Sequence, residues 1–317
     1  MIKEILKYAI CGVMFIAGCG CSSDEIVSLP DEYICFDSSV TRAVVEQATD
    51  MGSFKVWGWH TISGQSAAAQ DFDGVEVTFD NYTREWSYSP PRAWIWNSTH
   101  TFYALYPATI EGNYTVDGKL NIDNLDLRQN NSYNNLQSID LMQAKQSQSI
   151  VNNAPDFVSL NFDHMLSSVN FSFKMHNSNE GDKMEVTYVL VNGMKCYGTM
   201  QEDEWQLSEP SYLWKKLDTP ISLITQSYKT CMSDILMFPQ DIAAGEVTLY
   251  VSYNYTPSGA SNAITKIMQA VLPAGRWEAG KKINYTGVIE VDNNIEFATP
   301  TVEPWGTEQV GGTIIIQ

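Results

Sequence analysis

Val247-Thr248-Leu249-Tyr250-Val251-Ser252-Tyr253-Asn254-Tyr255 alternates without a break. Val247, Leu249, Val251, Tyr253 and Tyr255 take every second place, and Thr248, Tyr250, Ser252 and Asn254 stand between them. Successive side chains of a strand point to opposite faces, so this segment buries one face and wets the other. Apolar or alternating runs of the same kind recur at Phe54 to Ile62, Val75 to Phe79, Phe102 to Tyr106, Phe157 to Phe162 and Val169 to Met175. Others lie at Met184 to Val191, Leu236 to Phe238 and Ile283 to Val291, with Gly, Pro, Asn and Asp as punctuation. No stretch repeats its apolar residues at helical spacing over three turns. The pattern predicts a mostly-β chain.

Composition bounds what such a chain can do. Hydrophobic residues make up 44% of 317, enough for a packed core, whereas 18% are charged. Nineteen Lys and Arg face thirty-seven Asp and Glu, a formal net charge of −18. That balance repels phosphate backbones and anionic lipid surfaces and excludes nucleic acid as a partner. The length allows one large domain or two ordinary ones. The most polar interior stretch is Arg128 to Asn135, followed by Gln143 to Asn153, and in the second Lys145-Gln146-Ser147-Gln148-Ser149 and Asn152-Asn153-Ala154-Pro155 read as exposed connector. A cut there predicts two β-sandwich domains in tandem with Greek-key connections, residues 43–153 and 154–317.

The first residues read as an export address. Lys3 and Lys7 precede an apolar run from Tyr8 to Ala17, too short to span a bilayer core of ~30 Å but long enough for a signal sequence. Ile16-Ala17-Gly18-Cys19 resembles a bacterial lipobox, which makes residues 1–18 the signal peptide and Cys19 the acylated residue, anchored by palmitate-type chains in the outer-membrane lipid. Cys21 lacks the aliphatic residue that a lipobox requires in front of it. Ser22-Ser23-Asp24-Glu25 resembles the surface-export signal of Bacteroidota lipoproteins, and is equally a solvated tether. Of the remaining cysteines, Cys196 and Cys231 sit in apolar strand-like runs and read as buried thiols, with a disulfide between them as the alternative.

Signatures of catalysis are missing. The sequence has no His-Glu-x-x-His, Cys-x-x-Cys, P-loop or Gly-x-Gly-x-x-Gly, and Gly64-Gln65-Ser66-Ala67-Ala68 lacks the closing glycine of a nucleophile elbow. His60, His100, His164 and His176 are scattered singly and read as structural or surface residues. No catalytic residue, metal or cofactor is expected. Trp57, Trp59, Trp86, Trp94 and Trp96 crowd into one region. Aromatic faces there would stack on sugar rings of host or bacterial glycans, or fill a core or subunit interface.

Several ordered patterns together resemble the fimbrillin family of Bacteroidota, the subunits of type V pili. They are Glu85-Trp86-Ser87-Tyr88-Ser89-Pro90 followed by Trp94, and Thr101-Phe102-Tyr103-Ala104-Leu105-Tyr106-Pro107. Asp140-Leu141-Met142-Gln143-Ala144 resembles the end of the family's first domain, and Phe162-Asp163-His164-Met165-Leu166-Ser167-Ser168-Val169-Asn170-Phe171 the opening of its second. Ala279-Gly280-Lys281-Lys282-Ile283-Asn284-Tyr285 and Val302-Glu303-Pro304-Trp305 complete the series. The resemblance implies transthyretin-like sandwiches and assembly by strand exchange. A lipidated propeptide, residues 19–42, would carry the first strand, Tyr33, Ile34, Cys35 and Phe36. A trypsin-like surface protease would cut between Arg42 and Ala43, and a strand from another pilus subunit, identical or different, would fill the groove.

Physical chemistry gives the same scheme a rationale. Taking one strand from a sandwich exposes a backbone ladder and alternate side-chain pockets, a template for strand addition. The tail Val310-Gly311-Gly312-Thr313-Ile314-Ile315-Ile316 is a candidate donor, with Val310, Ile314, Ile315 and Ile316 as its apolar residues, or else an ordinary closing strand. The expectation is a structural or accessory tip subunit, matured from a surface lipoprotein to a fimbrium and supporting adhesion. Its alternatives are a glycan-binding surface lipoprotein that does not polymerise and a pilus anchor.

Overall fold

The computed structural model describes residues 33–40, 51–129, 132–136, 139–176, 179–291 and 294–305. Among them strands dominate and no α-helix occurs, as the period-two patterning requires. By internal contacts the described residues form two compact units. Residues 33–40, 51–109 and 144–162 make the first, and residues 110–143 and 163–305 the second. The junction expected near residue 153 falls within the 144–162 segment of the first unit.

One seven-stranded sheet carries the first unit, two of its strands running past that unit's bounds at residues 142–143 and 163–164. It comprises β1 (Phe36–Val40), β2 (Ser53–Ile62), β3 (Ala69–Asp80), β4 (Glu85–Ser87), β5 (Ser98–Tyr106) and the strands Met142–Ile150 and Val158–His164. Their order across the sheet is β1, Val158–His164, Met142–Ile150, β5, β2, β3, β4. The sheet curls on itself, since Phe36 of β1 lies 5.5 Å from Phe72 of β3 and Phe54 of β2 lies 5.2 Å from Phe162. Phe54, Val56, Phe72, Phe102, Ala104, Leu160 and Phe162 fill the inside of the curl and are fully buried. β3 gains an extra residue twice relative to β2, between the pairs Val56↔Val75 and Gly58↔Phe72 and again between Gly58↔Phe72 and Trp59↔Gln70. The first irregularity contains Gly74 at a φ of 62°, a left-handed conformation that suits glycine.

The connector expected over Gln143 to Asn153 is instead largely a strand, Met142–Ile150, next to β5. Its low hydrophobicity misled because one face is wet. Met142, Ala144 and Ile150 are buried, while Lys145, Ser147 and Ser149 are exposed. The hydroxyls of Ser147 and Ser149 pair with those of Thr101 and Thr99 at 3.1 Å, a cross-strand pairing of polar side chains on the solvent side.

Two larger sheets carry the core of the second unit. In one, Ser167–Met175 lies between Lys229–Met237, antiparallel, and Lys281–Ile289, parallel, with Ile295–Phe297 and Thr301–Pro304 pairing the latter. In the other, the order is Ser211–Leu223, Lys183–Met194, Thr248–Thr256, Ile264–Val271, antiparallel throughout. Phe171, Phe173, Ile283 and Tyr285 of the first pack with Val186, Val189, Val191 and Val251 of the second in one buried cluster. This is sandwich packing of two inner faces. The apolar half of the alternation holds, with Val247, Leu249, Val251 and Tyr253 buried, but the other face is not wet: Thr248, Tyr250 and Asn254 are half-buried and Ser252 is buried. Tyr255 stays partly exposed and donates its hydroxyl to Asp182 Oδ2 at 2.8 Å. Cys196 and Cys231 are buried thiols, not bonded to one another.

Candidate functional site

The segment 33–40 sits at the edge of the seven-stranded sheet. β1 runs parallel to Val158–His164 from Phe36↔Val158 to Val40↔Phe162, and Val158 N–H donates to the Cys35 carbonyl at 2.8 Å. Upstream, Ile34 N–H donates to the Arg92 carbonyl at 2.8 Å and Tyr33 bridges Ala93. Tyr88 ties the two together: its hydroxyl donates to the Ile34 carbonyl at 2.7 Å and accepts from Arg92 N–H at 3.2 Å.

Side chains of this segment alternate. Ile34, Phe36 and Ser38 point into the unit and are buried, while Asp37 is exposed and Cys35 half-buried. The Phe36 ring meets Phe72, Tyr88 and Phe102 at centroid distances of 5.5, 5.7 and 5.6 Å, two of them edge-on. Edge-on packing suits the ring quadrupoles and adds to the area buried. The strand begins at Phe36 instead of spanning Tyr33 to Phe36, because the backbone of Ile34 is engaged with Arg92 and Tyr88 rather than with a ladder. The polar run Asp37-Ser38-Ser39 belongs to the strand, and its polarity is why the sequence reading stopped short of it.

Cys19, Arg42, Ala43, Val310, Ile314, Ile315 and Ile316 lie outside the described residues. The five tryptophans are described and are not brought together on one surface. Trp57 and Trp59 are buried on one face of β2, where Trp59 meets Tyr103 edge-on at 6.0 Å. Trp86, half-buried, packs at 4.8 and 5.1 Å on Phe54 and Phe79, which lie on the opposite face. Trp94 is buried against His100 and Phe102 on that same face, and neither it nor Trp96 lies in a strand. Only Trp96 of the five is exposed, at 39%. Four of the five are therefore packing residues in the first unit.

Histidines prove less scattered than their sequence positions suggest. His60 and His100 face each other across β2 and β5, with Asp71 beside both. The apolar pattern starts β5 only at Phe102, whereas the strand runs from Ser98, so the pattern alone does not bring His100 opposite His60. His164 Nδ1 contacts Asp140 Oδ1 at 2.7 Å, and its ring stacks on Trp305 at 4.1 Å and 16°. Three separate sequence patterns, those ending in Asp140-Leu141-Met142, Phe162-Asp163-His164 and Pro304-Trp305, thus meet in one buried cluster of the second unit. Gly280, from a fourth pattern, accepts Trp305 N–H at its carbonyl at 2.8 Å and donates to the Leu166 carbonyl at 2.9 Å.

Comparison with known proteins follows the same ground. A family profile described as fimbrillin-like matches residues 41–305. A fimbrial protein from Bacteroides vulgatus ATCC 8482 shares the fold, with a TM-score of 0.65 at 17% identity over 87% of this chain and 100% of that one. A candidate cell adhesion protein from Bacteroides ovatus ATCC 8483 gives 0.53 at 15% identity, covering 87% of this chain and 98% of that one. No match was found among curated protein sequences.

Proposed function

Because the chain belongs to the fimbrillin-like family, we propose that it is a structural or accessory (tip) subunit of a type V pilus that supports adhesion. It is exported as an outer-membrane lipoprotein through Cys19, is cut after Arg42 by a trypsin-like surface protease, and joins other pilus subunits by donor-strand exchange. No reaction or cofactor enters this scheme.

The observation that supports it best is the seating of the segment 33–40. Its strand β1 is at the sheet edge, held by one ladder, its first residues are tied to Arg92 and Ala93, and alternate side chains are buried. Taking it away would bare the outer edge of Val158–His164 and uncover the rings of Phe72, Tyr88 and Phe102. A bare edge with alternate pockets accepts another strand through main-chain hydrogen bonds and alternate side chains. Refilling the Ile34 and Phe36 pockets contributes ~1.5–3 kcal/mol each. Arg42 lies two residues beyond the end of β1, so a cut there releases the whole strand.

Purified chain treated with trypsin and incubated at high concentration tests the proposal. A ladder of polymers is expected from the parent, and monomer alone from Arg42→Ala. Polymers formed equally by Arg42→Ala would contradict it.

A further inference from the structure

His60, Asp71 and His100 come from three neighbouring strands of the first unit, β2, β3 and β5. His60 and His100 are direct cross-strand partners, their ring centroids 5.4 Å apart. Asp71 is the extra residue of the second β3 irregularity, set between Phe72 and Gln70, which pair Gly58 and Trp59. Bulges of this kind re-aim one side chain relative to a regular strand. Here the carboxylate lies between the two imidazoles. Asp71 Oδ1 and Oδ2 lie 2.8 and 3.0 Å from His60 Nδ1, and Oδ2 lies 3.2 Å from His100 Nδ1.

We propose that these three residues bind a divalent transition-metal ion of the zinc class through His60 Nδ1, His100 Nδ1 and one Asp71 oxygen. Water takes the remaining position. Their ligand atoms all lie within 4.8 Å of one another. Ligands at ~2.0–2.1 Å around a tetrahedral ion stand about 3.3 Å apart, so the two carboxylate contacts already match that spacing to a few tenths of an ångström, and the imidazole nitrogens, within 4.8 Å, close the remainder on binding. Two imidazoles and a carboxylate form a nitrogen and oxygen donor set suited to zinc and its neighbours.

Three further features favour a ligand site over a plain His–Asp pair. His100 is fully buried, and its Nδ1, misaligned with Asp71 despite their proximity, has no hydrogen bond. A buried nitrogen left so is costly unless something else occupies its lone pair. Next, His100 Nε2 faces both main-chain groups of Ile95, the N–H at 3.3 Å and the carbonyl at 3.4 Å. With the proton on Nε2 it donates to the carbonyl, which frees Nδ1 for the ion and is the usual outer support of a ligating histidine. The edge of Trp94 and the parallel ring of Phe102 hold the imidazole in place. Last, the His60 and Asp71 side chains are 13% and 15% exposed, so solvent reaches the site at these two residues while His100 stays covered. An ion there would pin β2, β3 and β5 together and raise stability with its concentration.

The test is zinc titration calorimetry on the full chain stripped with EDTA, alongside His60→Gln and, as a surface control, His176→Gln. One ion per chain is expected, with affinity at least tenfold lower in His60→Gln and unchanged in His176→Gln. No saturable binding, or equal binding by His60→Gln, would overturn the proposal. Because a His100 variant risks misfolding, nitrogen-15 spectra of the imidazoles in the parent protein supply the second reading. Added zinc should shift Nδ1 of both His60 and His100, and a spectrum in which either ring stays unmoved would also overturn it.

Discussion

Phe36 has its ring against three others, so truncating it to alanine empties a pocket that Phe72, Tyr88 and Phe102 cannot readily fill. Losses of ~3–5 kcal/mol accompany such changes in cores. Urea unfolding of Phe36→Ala followed by tryptophan fluorescence is expected to show an earlier transition, and an unchanged midpoint would mean that the pocket is not closed by this side chain. The cysteines yield a second residue-level prediction. Burial pushes the thiols of Cys196 and Cys231 from an ordinary 9.0 up to about 12. A thiol with a raised folded value leaves stability whole below the unfolded value and reduces it as pH climbs. The chain is therefore expected to lose stability between about pH 9 and pH 12 in part through these two groups, and Cys→Ala at both should flatten that decline. At pH 8 the native thiolate population is ~10³-fold below that of the unfolded chain, so a thiol reagent should label both sites far more slowly before unfolding than after.

At the scale of elements, β1 is held at one edge only, whereas β5 has neighbours on both sides. Hydrogen exchange should therefore find Phe36–Val40 opening more readily than the Phe102 to Leu105 part of β5. Tyr88→Phe removes the hydroxyl bridge to the Ile34 carbonyl, worth about 1 kcal/mol, and should speed exchange at Ile34 and along β1 about fivefold while leaving β5 unchanged. Equal rates in both variants would show that Tyr88 does not hold this segment. The same strands reveal what the sequence discloses. Thr248–Thr256 is legible because one face is continuously apolar, and β2 because its run is rich in aromatic and β-branched residues. Met142–Ile150 is not, since serines on the wet face and half-buried glutamines on the other look like linker when the partner strand is unknown. The β3 bulges were equally hidden, because an extra residue is defined only against a neighbour's register, and with them went the convergence of His60, Asp71 and His100. In the segment 33–40 the sequence signal lies in the buried residues Ile34 and Phe36, while Asp37 to Ser39, which belong to β1, carry none.

For the whole molecule, the fimbrillin-like match from residue 41 to 305 begins where the described first strand has just ended. The full chain's formal net charge of −18 opposes sideways association of copies, and in the proposed scheme strand insertion would be the joint that overcomes it. Polymerisation through an emptied edge requires that residues 33–40 leave the mature protein. The most direct measurement is the N-terminal sequence and intact mass of the chain recovered from washed cell surfaces. A chain that begins at Ala43 and carries no lipid is the expected result. A chain that begins at acylated Cys19 in every fraction would contradict assembly by strand exchange and leave an anchored surface protein in its place.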